Sequence, residues 1–185
     1  MRLSRPRVPP VSMEEYRALQ QSLFGVTVPE DASVLNVTRT WARHPALMKA
    51  QRPYQQHLVS ETTLPHRDHE LAILRIGWHC QSEYEFGQHT VFGKQAGLTD
   101  AEIKRVTEGP DAAGWTPFES TLLRAVDELY HDAFISDATW ATLAERYDVP
   151  QLMDFIVLVG RYWTVSVVLN SLGVQLEEGK PGFPP

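Results

Sequence analysis

The stretch from Pro150 to Leu172 narrows most sharply what this chain can fold into. Leu152, Phe155, Ile156, Val157, Leu158, Val159, Tyr162, Trp163, Val165, Val167, Val168 and Leu169 would make a helix there apolar almost all round. A helix without a wet face must be buried, either inside its own subunit or against a partner. The remaining chain therefore has to supply a shell for it. Nowhere do two alternating apolar and polar runs flank a tight turn, so no sheet is expected to do so. The expected fold class is all-α, with about eight helices.

Local signals place the helix starts. Ser12 and Glu15 form a capping box flanked by Val11 and Tyr16, which predicts a helix over 13–24. Val34, Leu35, Val37 and Trp41 suit a helix within 33–43, which His44-Pro45 should end. A helix beginning at Pro45 should turn Leu47, Met48, Tyr54 and Leu58 inward, with a kink at Pro53. Pro65 opens a helix to about His79, and another runs from about Ser82 to Ala96, closed by Gly97. Thr99 with Glu102, Thr116-Pro117 with Glu119, and Ser136 start three more helices. The organisation expected is an extended arm over 1–10, one helical domain over 11–175, and a Gly/Pro-rich tail over 176–185 with little order.

Composition limits the function classes. The formal net charge is −6 and no Lys/Arg run interrupts the interior, which argues against nucleic acid as a partner. No segment approaches about 18 uninterrupted apolar residues, so no membrane partner is expected. The N-terminal Arg2, Arg5 and Arg7 lead into Pro9-Pro10 and not into an apolar core, and a single cysteine suits a reducing compartment. A cytoplasmic location is the expectation. The phosphate-cradling GxxxxGK[ST] and GxGxxG loops are absent, as is GxSxG.

The decapeptide from Cys80 to His89 directly follows the apolar run Leu71, Ala72, Ile73, Leu74 and Ile76. In a helix, Ser82, Glu85 and His89 share one face, and a carboxylate one turn from an imidazole can fix its tautomer and raise its basicity. Glu70 lies on the preceding helix and could meet the pair from across a short hairpin. A solvated Glu/His pair is the competing reading of the same spacing. His66, His69 and His79 add ligand types nearby, but Glu-x-x-x-His occurs once and HExxH is absent, so no metal site is expected.

Three pieces carry a resemblance: Arg67-x-x-Glu70-Leu-Ala-Ile-Leu, then Ser82-Glu-Tyr-Glu85-Phe-x-x-His89, then Ala96-Gly-Leu98 followed by Glu102. Together they resemble the carboxymuconolactone decarboxylase family, which includes the alkyl hydroperoxidase D-like proteins, over roughly residues 40–175. The resemblance implies an all-α fold and a homo-oligomer, a trimer or a hexamer of trimers. Hydroperoxidase members carry Cys-x-x-Cys between the glutamate and the histidine, whereas Ser82 and Glu85 occupy those positions here. Neither forms a thiolate, so disulfide cycling at this motif is excluded. The resemblance then implies acid/base chemistry without a cofactor, acting on a small anionic organic acid or lactone. His89 would transfer the proton, Glu85 would orient it, and Glu70 would assist, with Ser82, Tyr84 and Arg67 as substrate contacts. Arg75 and Arg161 are further cations that could meet an anion. The alternatives are a catalytically silent oligomeric binding protein and a peroxide or redox protein using Cys80.

Overall fold

The computed structural model, which describes residues 2–184, has helices and connecting loops but no strand among those residues. The helices are α1 (Met13–Phe24), α2 (Asn36–Trp41), α3 (Pro45–Gln56), α4 (His66–His79), α5 (Glu83–Gln95), α6 (Asp100–Glu108), α7 (Pro117–Asp132), α8 (Asp137–Ala144) and α9 (Val149–Leu172). A π-helical turn over His57–Glu61 continues α3. Pro53 inside α3 has no N–H to give, and the wider turn follows it directly.

Capping chemistry sets the starts of these helices. Reciprocal boxes form at Ser12 with Glu15, Thr99 with Glu102, Thr116 with Glu119, and Asp148 with Gln151. Each one satisfies backbone N–H groups that a helix start otherwise leaves unpaired.

The core is assembled around α4. Leu71, Ala72, Ile73, Leu74 and Ile76 are all essentially inaccessible, and α4 packs against α5, α6, α7 and α9. From α9 the inner face contributes Leu152, Phe155, Leu158 and Leu169. The opposite face of α9 remains open, with Met153 62 % and Trp163 47 % exposed, so intrasubunit packing covers only part of this apolar helix. By length and composition α9 would suffice to cross a membrane, but half of that stretch is buried inside the fold.

Two expectations are corrected. Leu47 and Tyr54 on α3 are exposed and only Leu58 just beyond is fully buried, because α3 covers a cavity and not the core. The tail is also placed: Phe183 packs edge-on against Trp78 and Phe86, at ring distances of 5.1 and 5.3 Å. Gly87 allows this, since a Cβ there would collide with the Pro181 carbonyl. The N-terminal arm lies across the end of α9, where the Arg7 and Val8 N–H groups both donate to the Leu172 carbonyl.

Truncating Phe86 to alanine opens a cavity at the centre of this packing and is expected to cost about 3–5 kcal/mol in urea denaturation. Phe183→Ala, at a half-buried position, should cost less but remain measurable. A Phe183→Ala midpoint equal to wild type would contradict the docked tail.

Candidate active site

Helices α4 and α5 form a hairpin joined by Cys80, Gln81 and Ser82, and Gln81 takes a left-handed backbone (φ 50°) to make so short a turn. Gly77 sits against the Glu85 side chain and the Phe86 backbone, which keeps the two helices close. This closeness brings Glu70 of α4 onto the α5 face that carries Glu85 and His89. His89 Nδ1 lies 2.7 Å from Glu70 Oε2, and His89 Nε2 lies 3.1 Å from Glu85 Oε1. The second Glu70 oxygen is 3.2 Å from His69 Nδ1, whose other ring nitrogen is 3.1 Å from the Leu58 carbonyl. Tyr162 of α9 packs edge-on against His89 with ring centroids 5.0 Å apart.

This packing sets the charge state. Burial by itself would push His89 toward the neutral form, but the Glu70 charge and the hydrogen bonds and charge of Glu70 and Glu85 outweigh it and raise His89 to about 10. Glu70 shows the converse. Burial would raise it, yet His89 and His69 draw it down to about 2. At neutral pH the imidazole is therefore an imidazolium held between carboxylates, and so a proton donor.

The trio lies at the floor of a cavity of about 1140 Å³. Its far wall comes from α1, α2 and α3 through Tyr16, Phe24, Trp41 and Met48, and its near wall from α5 and α9 through Phe92, Tyr162 and Val165. The exposed Arg52, Gln56, Val59, Phe92 and Gln95 form the rim, whereas Glu70, Glu85, His89 and Arg161 are buried. Arg161 donates to Gln51 Oε1 at 2.5 Å and to Gln55 Oε1 at 3.2 Å, and its guanidinium lies near the rings of Trp41 and Tyr54. Burial pushes its pKa below the ordinary value.

The structure thus brings together Glu70, Glu85 and His89 and leaves other expected residues elsewhere. Glu70, expected to assist, makes the shorter contact with His89, so orientation of the ring falls mainly to it. Arg67 does not line the cavity, because its guanidinium is held by Glu102 at 2.5 Å and by Glu119 at 2.8 Å. Ser82 is fully buried behind the site, with no hydrogen-bond partner for its Oγ. Tyr84 lines the cavity, but its hydroxyl accepts from the Val37 N–H and donates to Glu177 Oε1. Arg75 is taken by Asp127 and the Val106 carbonyl. Cys80 lies outside the cavity, and burial pushes its thiol up to about 11. Among the described residues, no group of three or more His, Cys, Asp or Glu side chains is arranged to hold a metal ion.

Of the three arginines that the sequence offered as partners for an anion, only Arg161 lines the cavity, and Tyr162 and the Gln51/Gln55 pair were not singled out. The available signal was Arg161 itself, the lone charge between Asp154 and Leu172 in an otherwise apolar helix. A charge in such a place needs either partners or a ligand.

Comparison with known proteins adds to this geometry. Residues 45–128 match the model of the Carboxymuconolactone decarboxylase family. No curated protein matches the sequence. Among solved structures, the chain is similar to the alkylhydroperoxidase AhpD core of an uncharacterized peroxidase-related protein from Ralstonia eutropha JMP134. That match has a TM-score of 0.72 at 15% identity, covering 95% of each chain. An uncharacterized peroxidase-related protein from Silicibacter sp. TM1040 gives 0.70 at 15% identity, covering 95% of this chain and 91% of that one. A variant of the debrominase Bmp8 in complex with 2,3,4-tribromopyrrole gives 0.70 at 12% identity, covering 95% and 94%. At these identities the likeness is one of fold.

The shifted groups predict a pH profile for stability. His89, raised from 6.5 to about 10, contributes fully below about 6.5, and the contribution is lost as pH rises through about 10. Glu70, lowered from 4.5 to about 2, contributes above about 4.5, and that contribution is lost as pH falls toward 2. Thermal denaturation across pH should show the alkaline loss in wild type and a flatter alkaline limb in His89→Gln. Parallel limbs in the two proteins would contradict the assignment.

Proposed function

Residues 45–128 of this chain belong to the carboxymuconolactone decarboxylase family, and from that premise we propose that the protein is a cofactor-independent acid/base enzyme, a lyase or isomerase acting on an organic acid or lactone. The observation that carries this reading is the burial of His89 between Glu70 and Glu85 at the floor of a large cavity. In the decarboxylating form, the C–C bond to the substrate carboxylate breaks and CO₂ leaves, and the electron pair stays on the substrate as an enolate-like anion. The His89 imidazolium then gives its Nε2 proton to that carbon, and the neutral ring regains a proton from solvent. In the isomerising form, Glu85 takes a proton from the carbon next to a carbonyl, His89 gives its own to another atom of the delocalised anion, and the proton on Glu85 then passes to His89 Nε2, 3.1 Å away, restoring both groups. Glu70 stays paired with Nδ1 throughout and fixes which nitrogen faces the substrate. Such a positioned acid typically contributes about 10²–10⁴ in rate.

Redox chemistry has less support. Ser82 and Glu85 stand where a redox pair would be needed, and Cys80 is buried with its thiol pushed up to about 11, which leaves little thiolate. The exposed apolar face of α9, with Met153, Val157, Trp163 and Val167, supports the reading that the protein works as a homo-oligomer.

The test is proton exchange. Incubation in D₂O with a panel of lactones and β-keto acids, followed by NMR, should reveal deuterium incorporation into one class. His89→Gln, which keeps a polar side chain between the carboxylates, should abolish it with the helical circular dichroism intact. Glu85→Gln should slow it about 10²–10⁴-fold. Full exchange by folded His89→Gln would overturn the proposal.

A further inference from the structure

The size and charge of the cavity narrow the substrate class further than the acid/base chemistry does. Its volume is about 1140 Å³, whereas pockets for drug-sized ligands hold about 300–1,000 Å³. A simple lactone would leave most of the aromatic and aliphatic wall in contact with water, losing the burial that gives such a wall its affinity. The lining is predominantly apolar, with Phe24, Trp41, Met48, Phe92 and Val165 spread from rim to floor.

The charge lining this space is opposite in sign to that of the chain as a whole. The protein carries a formal net charge of −6. Among the cavity's charged side chains, Arg52, Arg161 and the His89 imidazolium are positive, against Glu70 and Glu85. The negative charges of Glu70 and Glu85 are already engaged by His89. Among the described residues Arg161 therefore has no ion-pair partner: it is 9% exposed, it donates to the neutral amide oxygens of Gln51 and Gln55, and the Glu85 charge reaches it only from beyond ion-pair distance. A buried guanidinium is costly without a negative partner, and its fork matches a carboxylate. Gln55 and Tyr162 both line the cavity, and Tyr162 packs on His89, so the cation and the proton donor belong to one wall. Arg52, at the rim, packs over the Phe24 ring at 4.1 Å and is placed to attract an anion toward the mouth.

We propose that the ligand of this site is an amphiphilic carboxylate with a large aromatic or alkyl body, its acid group bound by Arg161 and its body along the α1–α3 wall. This deepens the acid/base reading and rests on it for which part of the ligand reacts at His89. Recognition of the acid itself depends only on the cavity and on Arg161.

The experiment is calorimetric titration of the full chain at pH 7 with biphenylcarboxylate, its neutral carboxamide, and acetate, with Trp41 fluorescence as a second readout. Wild type should bind the large acid at least about tenfold tighter than the amide, a difference of about 1.4 kcal/mol, and should not bind acetate measurably. Arg161→Gln should bring acid and amide to equal affinity while keeping amide binding, which also shows that the variant is folded. Equal binding of acid and amide by wild type, binding of acetate as tight as that of the large acid, no binding of any probe, or an unchanged acid preference in folded Arg161→Gln would each overturn the proposal. Acid preference without His89-dependent exchange in D₂O would overturn the acid/base reading and leave this one standing.

Discussion

Everything about this molecule turns on an imidazolium buried between two carboxylates. An isolated charge in such a place is costly, and removing one partner from a buried pair typically destabilises a protein by about 3–5 kcal/mol. Here the partners come from different elements. Glu70 belongs to α4, Glu85 and His89 to α5, and Tyr162 of α9 closes the ring against solvent. The same contacts that set the protonation of His89 therefore hold together the three helices at the centre of the fold. The proposed chemistry and the stability of the fold share this cluster, and its polar groups lie on the one side of the α4–α5 hairpin that the core leaves open.

The cavity follows from a division of labour among the helices. α4, α6, α7, α8, the inner face of α9, Phe86 of α5 and Leu58 of the π turn make the core, while α1, α2 and α3 lean over α5 and α9 without filling the space between. Glu177, from the tail, receives the Asn36 N–H, the Tyr84 hydroxyl and the Gln88 amide, and so ties α2 to α5 behind the cavity. This leaves the wall built by long-range contacts and the floor by a local hairpin. The arrangement suits a site whose chemistry stays constant while its wall determines what enters.

How much of this could be read from the sequence depended on how local the cause was. The capping boxes at Ser12, Thr99 and Thr116 act within four residues, and all of them form where expected. The Glu85/His89 pair is a single helical turn, and a short link was enough to place Glu70 opposite it. The cavity could not be read that way. Leu47 and Tyr54 fit an inward-facing pattern, but no core lies beneath α3, and apolar spacing cannot distinguish a wall from a core. Arg67 lay closest to the motif and looked suited to an anion, but Glu102 and Glu119 had already claimed it. The docking of Phe183 between Trp78 and Phe86 joins segments about a hundred residues apart, and nothing local to the tail announces it.

The account depends on His89 being a cation at neutral pH. Long-range proton–nitrogen correlation NMR on ¹⁵N-histidine-labelled protein at pH 7.5 reads this directly. The account predicts that both ring nitrogens of His89 resonate as protonated, collapsing to a neutral pattern only well above pH 8, with the assignment secured by loss of the signal in His89→Gln. A His89 ring that is neutral at pH 7.5 and titrates near 6.5, the ordinary value, would contradict it.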